Sequence, residues 1–198
     1  MSFLDRIAAA VTPAASDEER ARARQEAETL GHTEEWVGLI VQQHKQIESL
    51  LDDAGNAGDP NQRRLALKDF ARIVTGHSNA EEVILYPDIA EYNGKTQAAM
   101  AYEEHAMTKI QVAKLEKLDP MSQDWAEKVE HIRGALQQHM YQEESSWLPD
   151  LVQNLPGDEK AHLSKRYVEE FNRYCGDESS KSSANSAMPM PGQVYTQA

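Results

Sequence analysis

The stretch that decides the fold is His77-Ser78-Asn79-Ala80-Glu81-Glu82-Val83-Ile84-Leu85-Tyr86-Pro87-Asp88-Ile89, because it occurs twice. The second copy reads His139-Met140-Tyr141-Gln142-Glu143-Glu144-Ser145-Ser146-Trp147-Leu148-Pro149-Asp150-Leu151. The histidines (139 − 77) and the glutamates (143 − 81) are both 62 residues apart. A His and a Glu four apart on a helix differ by about 40° in rotation and about 6 Å in rise. Both side chains therefore leave the same face one turn apart, where one metal centre can take an imidazole and a carboxylate together.

Working outward, each copy is preceded by a further histidine. His44 in Gln43-His44-Lys45 and His105 in Glu104-His105-Ala106 are 61 residues apart (105 − 44). The unit is a helix with one His followed by a helix with His-x-x-x-Glu, repeated once. Hydrophobic spacing puts these residues on inward seams. In helix 33–53, Trp36, Ile40, Ile47 and Leu51 share a stripe with His44. In helix 60–86, Leu67, Phe70, Val74 and Ile84 share one with His77 and Glu81. In helix 96–118, Ala101, Thr108, Val112 and Leu115 accompany His105; in helix 122–148, Val129, Ile132, Leu136 and Trp147 accompany His139 and Glu143. Asp59-Pro60 reads as a cap and first helical position, Asn93-Gly94 and Asp119-Pro120 as breaks, and Tyr86-Pro87 as a kink or an end.

No strand period occurs, so the class is all-α. A charged helix is expected over 17–30 and an amphipathic one over 158–174, through Leu163, Tyr167, Val168 and Phe171. The organisation expected is 1–32 as a helical extension and linker, 33–155 as the bundle, 156–175 as a C-terminal helix and 176–198 as a disordered tail. The first 16 residues form a short amphipathic helix in this reading.

A chain of 198 residues is long enough for a real core, and its net charge of −13 opposes nucleic acid or an anionic membrane as partner. The single Cys175 excludes an intrachain disulfide and suits a reducing compartment. No apolar run reaches the length of a membrane span and the start lacks a basic leader, so a soluble, cytoplasmic protein is expected.

Two glutamates on apolar seams are costly unless paired or coordinated, and the seams carry no Arg or Lys; Lys109 lies one position off. A histidine and carboxylate set without cysteine suits iron or manganese, and suits zinc less well for a six-ligand dinuclear site.

The order His, His-x-x-x-Glu, His, His-x-x-x-Glu, with Glu-Glu and Tyr-Pro or Leu-Pro after the pairs, resembles the hemerythrin-like HHE cation-binding family. The resemblance spans about 33–155 and differs from ferritin-type bundles, which use Glu-x-x-His. It implies an up-down-up-down four-helix bundle with extra terminal helices, around a non-haem centre of two Fe ions with an oxo or hydroxo bridge. It further implies His44 and His77 on one iron, His105 and His139 on the other, and Glu81 and Glu143 bridging.

One departure concerns the third helix, where oxygen-carrying relatives have two histidines four apart. Here Ala101 and Lys109 flank His105, leaving an iron less saturated or ligated by Tyr102, Glu104 or water. An open iron favours reaction or sensing over carriage, with O2, H2O2 or NO as the small-molecule ligand and Tyr102 as a source of a proton or electron. The activity expected is catalase-like or oxidase-like in a stress response. The alternatives are an O2- or iron-sensing module signalling through its terminal helices, and iron storage or oxygen carriage without turnover. A monomer or weak dimer is expected, with the N-terminal helix as the route to a protein partner. Glu82 and Glu144 are expected in solvent or behind the ligands, His131 in a structural role, and His32 and His162 on the surface.

Overall fold

A computed structural model of the protein describes residues 14–176. The expected helix over 1–16 and the tail beyond 176 thus lie, but for a few residues, outside the described range. Among the described residues all regular structure is helical. The elements are α1 (Asp17–Leu30), α2 (Glu35–Asn56), α3 (Pro60–Ala80), the short α4 (Tyr86–Asp88), α5 (Lys95–Leu115), α6 (Gln123–Gln142), α7 (Leu148–Asn154) and α8 (Gly157–Cys175). α2, α3, α5 and α6 form the up-down-up-down bundle, with α1 and α8 added from the two ends.

Local chemistry sets the helix starts. Ser16 and Glu19 form a reciprocal capping box at α1. Asp59 accepts the amides of Asn61 and Gln62 ahead of α3, with Pro60 in the first turn, and Ser122 accepts the Trp125 amide at α6. At Gly94 the backbone turns with φ 136°, a conformation that side chains with a Cβ rarely adopt, and the chain reverses into α5.

The seams anticipated from spacing are the ones buried, except that Val168, expected on the inner face of the C-terminal helix with Leu163, Tyr167 and Phe171, is exposed, one position (about 100°) past the buried Tyr167. Trp36, Ile40, Ile47 and Leu51 of α2 meet Leu67, Phe70 and Ile73 of α3, and Val129, Ile132 and Leu136 of α6 close the core. The indole N–H of Trp125 donates to the Ala54 carbonyl at 3.0 Å, tying the start of α6 to the end of α2. α8 lies along α3, while α1 lies against α2 and the turn after α6.

The helix ends differ from expectation in one informative way. The helix expected over 60–86 leaves α geometry at Glu81, runs as a π-helical turn over Glu81–Leu85, and continues through α4 and a second π turn at Ile89–Asn93. The helix expected over 122–148 does the same at Glu143–Trp147 and continues through α7 to Asn154. Pro87 and Pro149 explain both. An α register would ask each for an N–H it lacks and press its ring on the carbonyl four residues back. Widening the turn by one residue relieves this, and the amides of Tyr86 and Leu148 bond the carbonyls of Glu81 and Glu143, five residues back.

Candidate metal centre

The four helices bring His44, His77, Glu81, His105, His139 and Glu143 together in the middle of the bundle, all buried. The Nε2 atoms point inward. His44 Nε2 lies 3.1 Å from Glu143 Oε2, and His139 Nε2 lies 3.4 Å from Glu143 Oε1. His77 Nε2 and His105 Nε2 lie 3.2 Å and 3.4 Å from the same oxygen, Glu81 Oε2. His105 Nε2 and His139 Nε2 are 3.0 Å apart.

The Nδ1 atoms point outward, and each has an acceptor. They are Glu144 for His44 (2.7 Å), Gln43 for His77 (3.0 Å), Glu82 for His105 (3.1 Å) and Glu104 for His139 (2.8 Å). An acceptor on Nδ1 keeps the proton there and leaves the Nε2 lone pair facing inward, as a ligand must.

Two groups of ligand atoms result, each lying within 4.8 Å of one another: His44, His77, Glu81 and Glu143, and then Glu81, His105 and His139. Glu81 belongs to both. His44 Nε2, His77 Nε2, Glu81 Oε1 and Glu143 Oε2 are buried without a hydrogen-bond partner, since the short approaches among them lack bonding geometry. Orphaned buried polar atoms are costly, and four of them converging on one spot fit cations.

The electrostatics show how the cluster balances itself with protons. Burial, and then repulsion from Glu143, push the Glu81 carboxyl well above the usual range, so it keeps its proton. Burial also opposes the charge on Glu143, but His139 and His44 outweigh it and hold this carboxyl low. His44 resists burial through Glu143 and Glu144 and is held up at about 9. His139 is likewise raised against burial by Glu143 and Glu104. Burial takes His77 well below its ordinary value and His105 down to about 4. Protons thus stand where cations would, and a metal must displace them.

The phenol at the cluster is Tyr86, not Tyr102. The Tyr86 hydroxyl is 2.9 Å from His105 Nε2, 3.2 Å from Glu143 Oε1 and 3.5 Å from Glu81 Oε2. Tyr102 is 40% exposed, and its hydroxyl donates to the Glu82 carbonyl at 2.7 Å. It touches the site only through its ring, packed edge-on against Tyr86. The π turn is the physical reason. Five residues of α-helix would turn Tyr86 about 140° away from Glu81, whereas the i+5 bond stacks Tyr86 almost above it. The proline after Tyr86 is the sequence signal for this shift.

Glu104, weighed as a ligand from the sequence, sits instead behind His139. Glu82 also accepts from Lys109 Nζ at 2.7 Å. Glu144 is 2% exposed and bridges His44 to Arg24 of α1, whose Nε is 2.6 Å away. Arg24 gave no sequence signal, because α1 carries no apolar seam to orient it. His131, expected to be structural, is exposed beside Asp124, Glu127 and Lys128; His32 and His162 are on the surface.

Comparison with known proteins agrees with this geometry. The model of the hemerythrin HHE cation-binding domain matches residues 37–151. A hemerythrin-like protein of Schizosaccharomyces pombe is 23% identical over 131 residues, which are 65% of this chain and 64% of that protein. A DNA nickase of Nostoc sp. PCC 7120 is 22% identical over 121 residues, 61% of this chain and 34% of that protein. The chain thus spans about a third of the nickase and under two thirds of the yeast protein. No solved structure matches.

Proposed function

The chain belongs to the hemerythrin HHE cation-binding domain family, and on that footing we propose that it is a non-haem di-iron protein that reacts with O2, peroxide or nitric oxide under oxidative or nitrosative stress. The observation that carries this reading is Glu81, which stands in two overlapping ligand groups and could therefore serve a pair of ions rather than one. Nitrogen and oxygen donors without sulfur suit iron, and manganese accepts the same set. When bound, the ion pair supplies redox equivalents and open coordination positions to a small oxidant.

The chain's own residues do the rest. The four imidazoles, oriented from behind, would hold the ions together with Glu81, which is common to both groups, and Glu143. Tyr86 Oη holds a proton in reach of whatever small molecule enters between them, since burial and the neighbouring carboxylates Glu143 and Glu81 push its phenol well above the usual range. Only small ligands suit a centre whose six side chains are all buried and whose His139 is packed edge-on against Trp147. Without a second histidine on α5, the His105/His139 side keeps a lower protein ligand count, which supports reaction or sensing over carriage.

A sensing role is the second reading, favoured by one observation: α1 reaches the ligand His44 through Arg24 and Glu144. The nicking of DNA named for the Nostoc protein is not carried over, since the match covers 34% of it and a charge of −13 opposes a polyanion.

Metal analysis of protein produced in iron-rich medium tests the proposal, with about two irons per chain expected, one for each ligand group. Iron well below one per chain refutes it. Oxygen evolution from peroxide that is lost in Glu81→Ala selects turnover, and reversible binding without turnover selects the sensor.

A further inference from the structure

Three of the four inward histidines have a carboxylate behind them, and His77 does not. Its Nδ1 lies 3.0 Å from Gln43 Oε1 and 3.1 Å from the Tyr167 hydroxyl oxygen. The Tyr167 O–H donates to Gln43 Oε1 at 2.7 Å. One arrangement of hydrogens satisfies this triangle: the phenol proton goes to Gln43, and the Nδ1–H is shared between the two oxygens. The His77 Nε2 is then the bare nitrogen, and Tyr167 keeps it so by donating to Gln43 Oε1, which holds the amide with its oxygen rather than its NH2 toward Nδ1.

Tyr167 is fully buried and belongs to α8, which lies outside the matched residues 37–151. The approach of α8 is allowed by Gly76, the neighbour of His77. A Cβ there would lie 2.3 Å from Cys175 Sγ and 3.5 Å from the Phe171 ring. α1, also outside the matched region, bears on the same half of the centre, because Arg24 holds Glu144 and Glu144 holds His44. The other half differs. Glu82 and Glu104, behind His105 and His139, come from inside the matched region, and their side chains are 23% and 33% exposed.

We infer that α1 and α8 form a clamp that positions the His44/His77 half of the metal centre, with Tyr167 as the positioning residue for His77, and that this makes the two halves unequal in metal affinity. The inference rests on the metal-binding reading above. A carboxylate behind an imidazole raises its basicity as a ligand, and a neutral amide and phenol do so less. His77 is therefore the ligand whose quality depends most on orientation, and that orientation is supplied by a helix the rest of the bundle does not contain.

The test is a titration of Co2+ into the metal-stripped full chain, followed by calorimetry and by the visible absorption of bound Co2+. Wild type, Tyr167→Phe, Arg24→Gln and Glu104→Gln are compared. Tyr167→Phe keeps the ring and its packing, and melting of the metal-free protein checks this. It is expected to weaken one of the two binding events by about tenfold or more and to leave the other unchanged. Arg24→Gln is expected to weaken the same event, and Glu104→Gln the other. A metal-free readout is the 15N spectrum of the histidines, in which His77 is expected to lose its Nδ1–H tautomer preference in Tyr167→Phe. The clamp is overturned if Tyr167→Phe and Arg24→Gln leave both events unchanged, or weaken both events equally. It also falls, together with the metal reading, if wild type takes up no Co2+; two events indifferent to the clamp residues overturn the clamp alone.

Discussion

Replacing Glu81 with glutamine separates the cost of the empty cluster from the gain of the filled one. Glu81 is fully buried, its Oε2 is 3.2 Å from His77 Nε2 and 3.4 Å from His105 Nε2, and it stands in both ligand groups. In the metal-free protein its carboxyl keeps a proton. Glutamine has nearly the same shape and no charge, so below about pH 4.5 Glu81→Gln should change metal-free stability by about 1 kcal/mol or less, and at pH 7 the variant should be the more stable. The pH profile should flatten. A group whose folded pKa is raised lends stability below its unfolded value, here about 4.5, and loses it as pH rises through the folded value. Wild type without metal should therefore weaken as pH climbs above that range, and the variant should not.

With metal the balance reverses. An amide is a poor substitute for a shared carboxylate, and a loss of roughly 10- to 100-fold in affinity at each group removes about 1.4 to 2.7 kcal/mol of metal-derived stability per group. For both groups that is about 3 to 5 kcal/mol. A chain of this size shifts in Tm by about 2 to 4 °C per kcal/mol, so the rise in Tm on iron loading should shrink by roughly 6 to 20 °C. Calorimetric melting with and without iron, alongside iron analysis, measures both effects. Full iron content and an undiminished rise in Tm in Glu81→Gln would refute the claim that this carboxylate spans two ions.

Three further outcomes follow from the same geometry. Metal uptake at pH 7 should release protons, because His44 is held up at about 9 and Glu81 and His139 are raised as well in the metal-free cluster; affinity should rise with pH, and calorimetry in two buffers of different ionisation enthalpy measures the release. His77→Ala should lower iron content and Tm together, because the same side chain belongs to a candidate ligand group and is buried in the core; unchanged melting with iron intact would contradict its proposed role. Gly76→Ala should destabilise the chain by about 1 to 3 kcal/mol through the clash with Cys175, read as a lower midpoint in urea.

Much of this protein was legible in its residues alone. A period of 3.6 residues is a local property, so spacing was enough to put His44, His77, Glu81, His105, His139 and Glu143 on the inner faces of four helices, and a duplicated order was enough to suggest that they meet. Short breaks at Ala57–Gly58–Asp59 and near Asp119-Pro120 leave neighbouring helices little choice but to run antiparallel.

What stands behind the ligands was decided only by tertiary structure. Tyr86 reaches the cluster because Pro87 widens one turn of helix, which an α period extrapolated through that turn misses; Tyr102 drew attention only by its place beside His105 on α5. Arg24 and Tyr167 come from helices far from the ligands in sequence, and only docking brings them to Glu144 and to His77. Periodicity tells each residue which side of its own helix it occupies; which atom of a neighbouring helix it meets depends on how the helices cross, and no local pattern contains that.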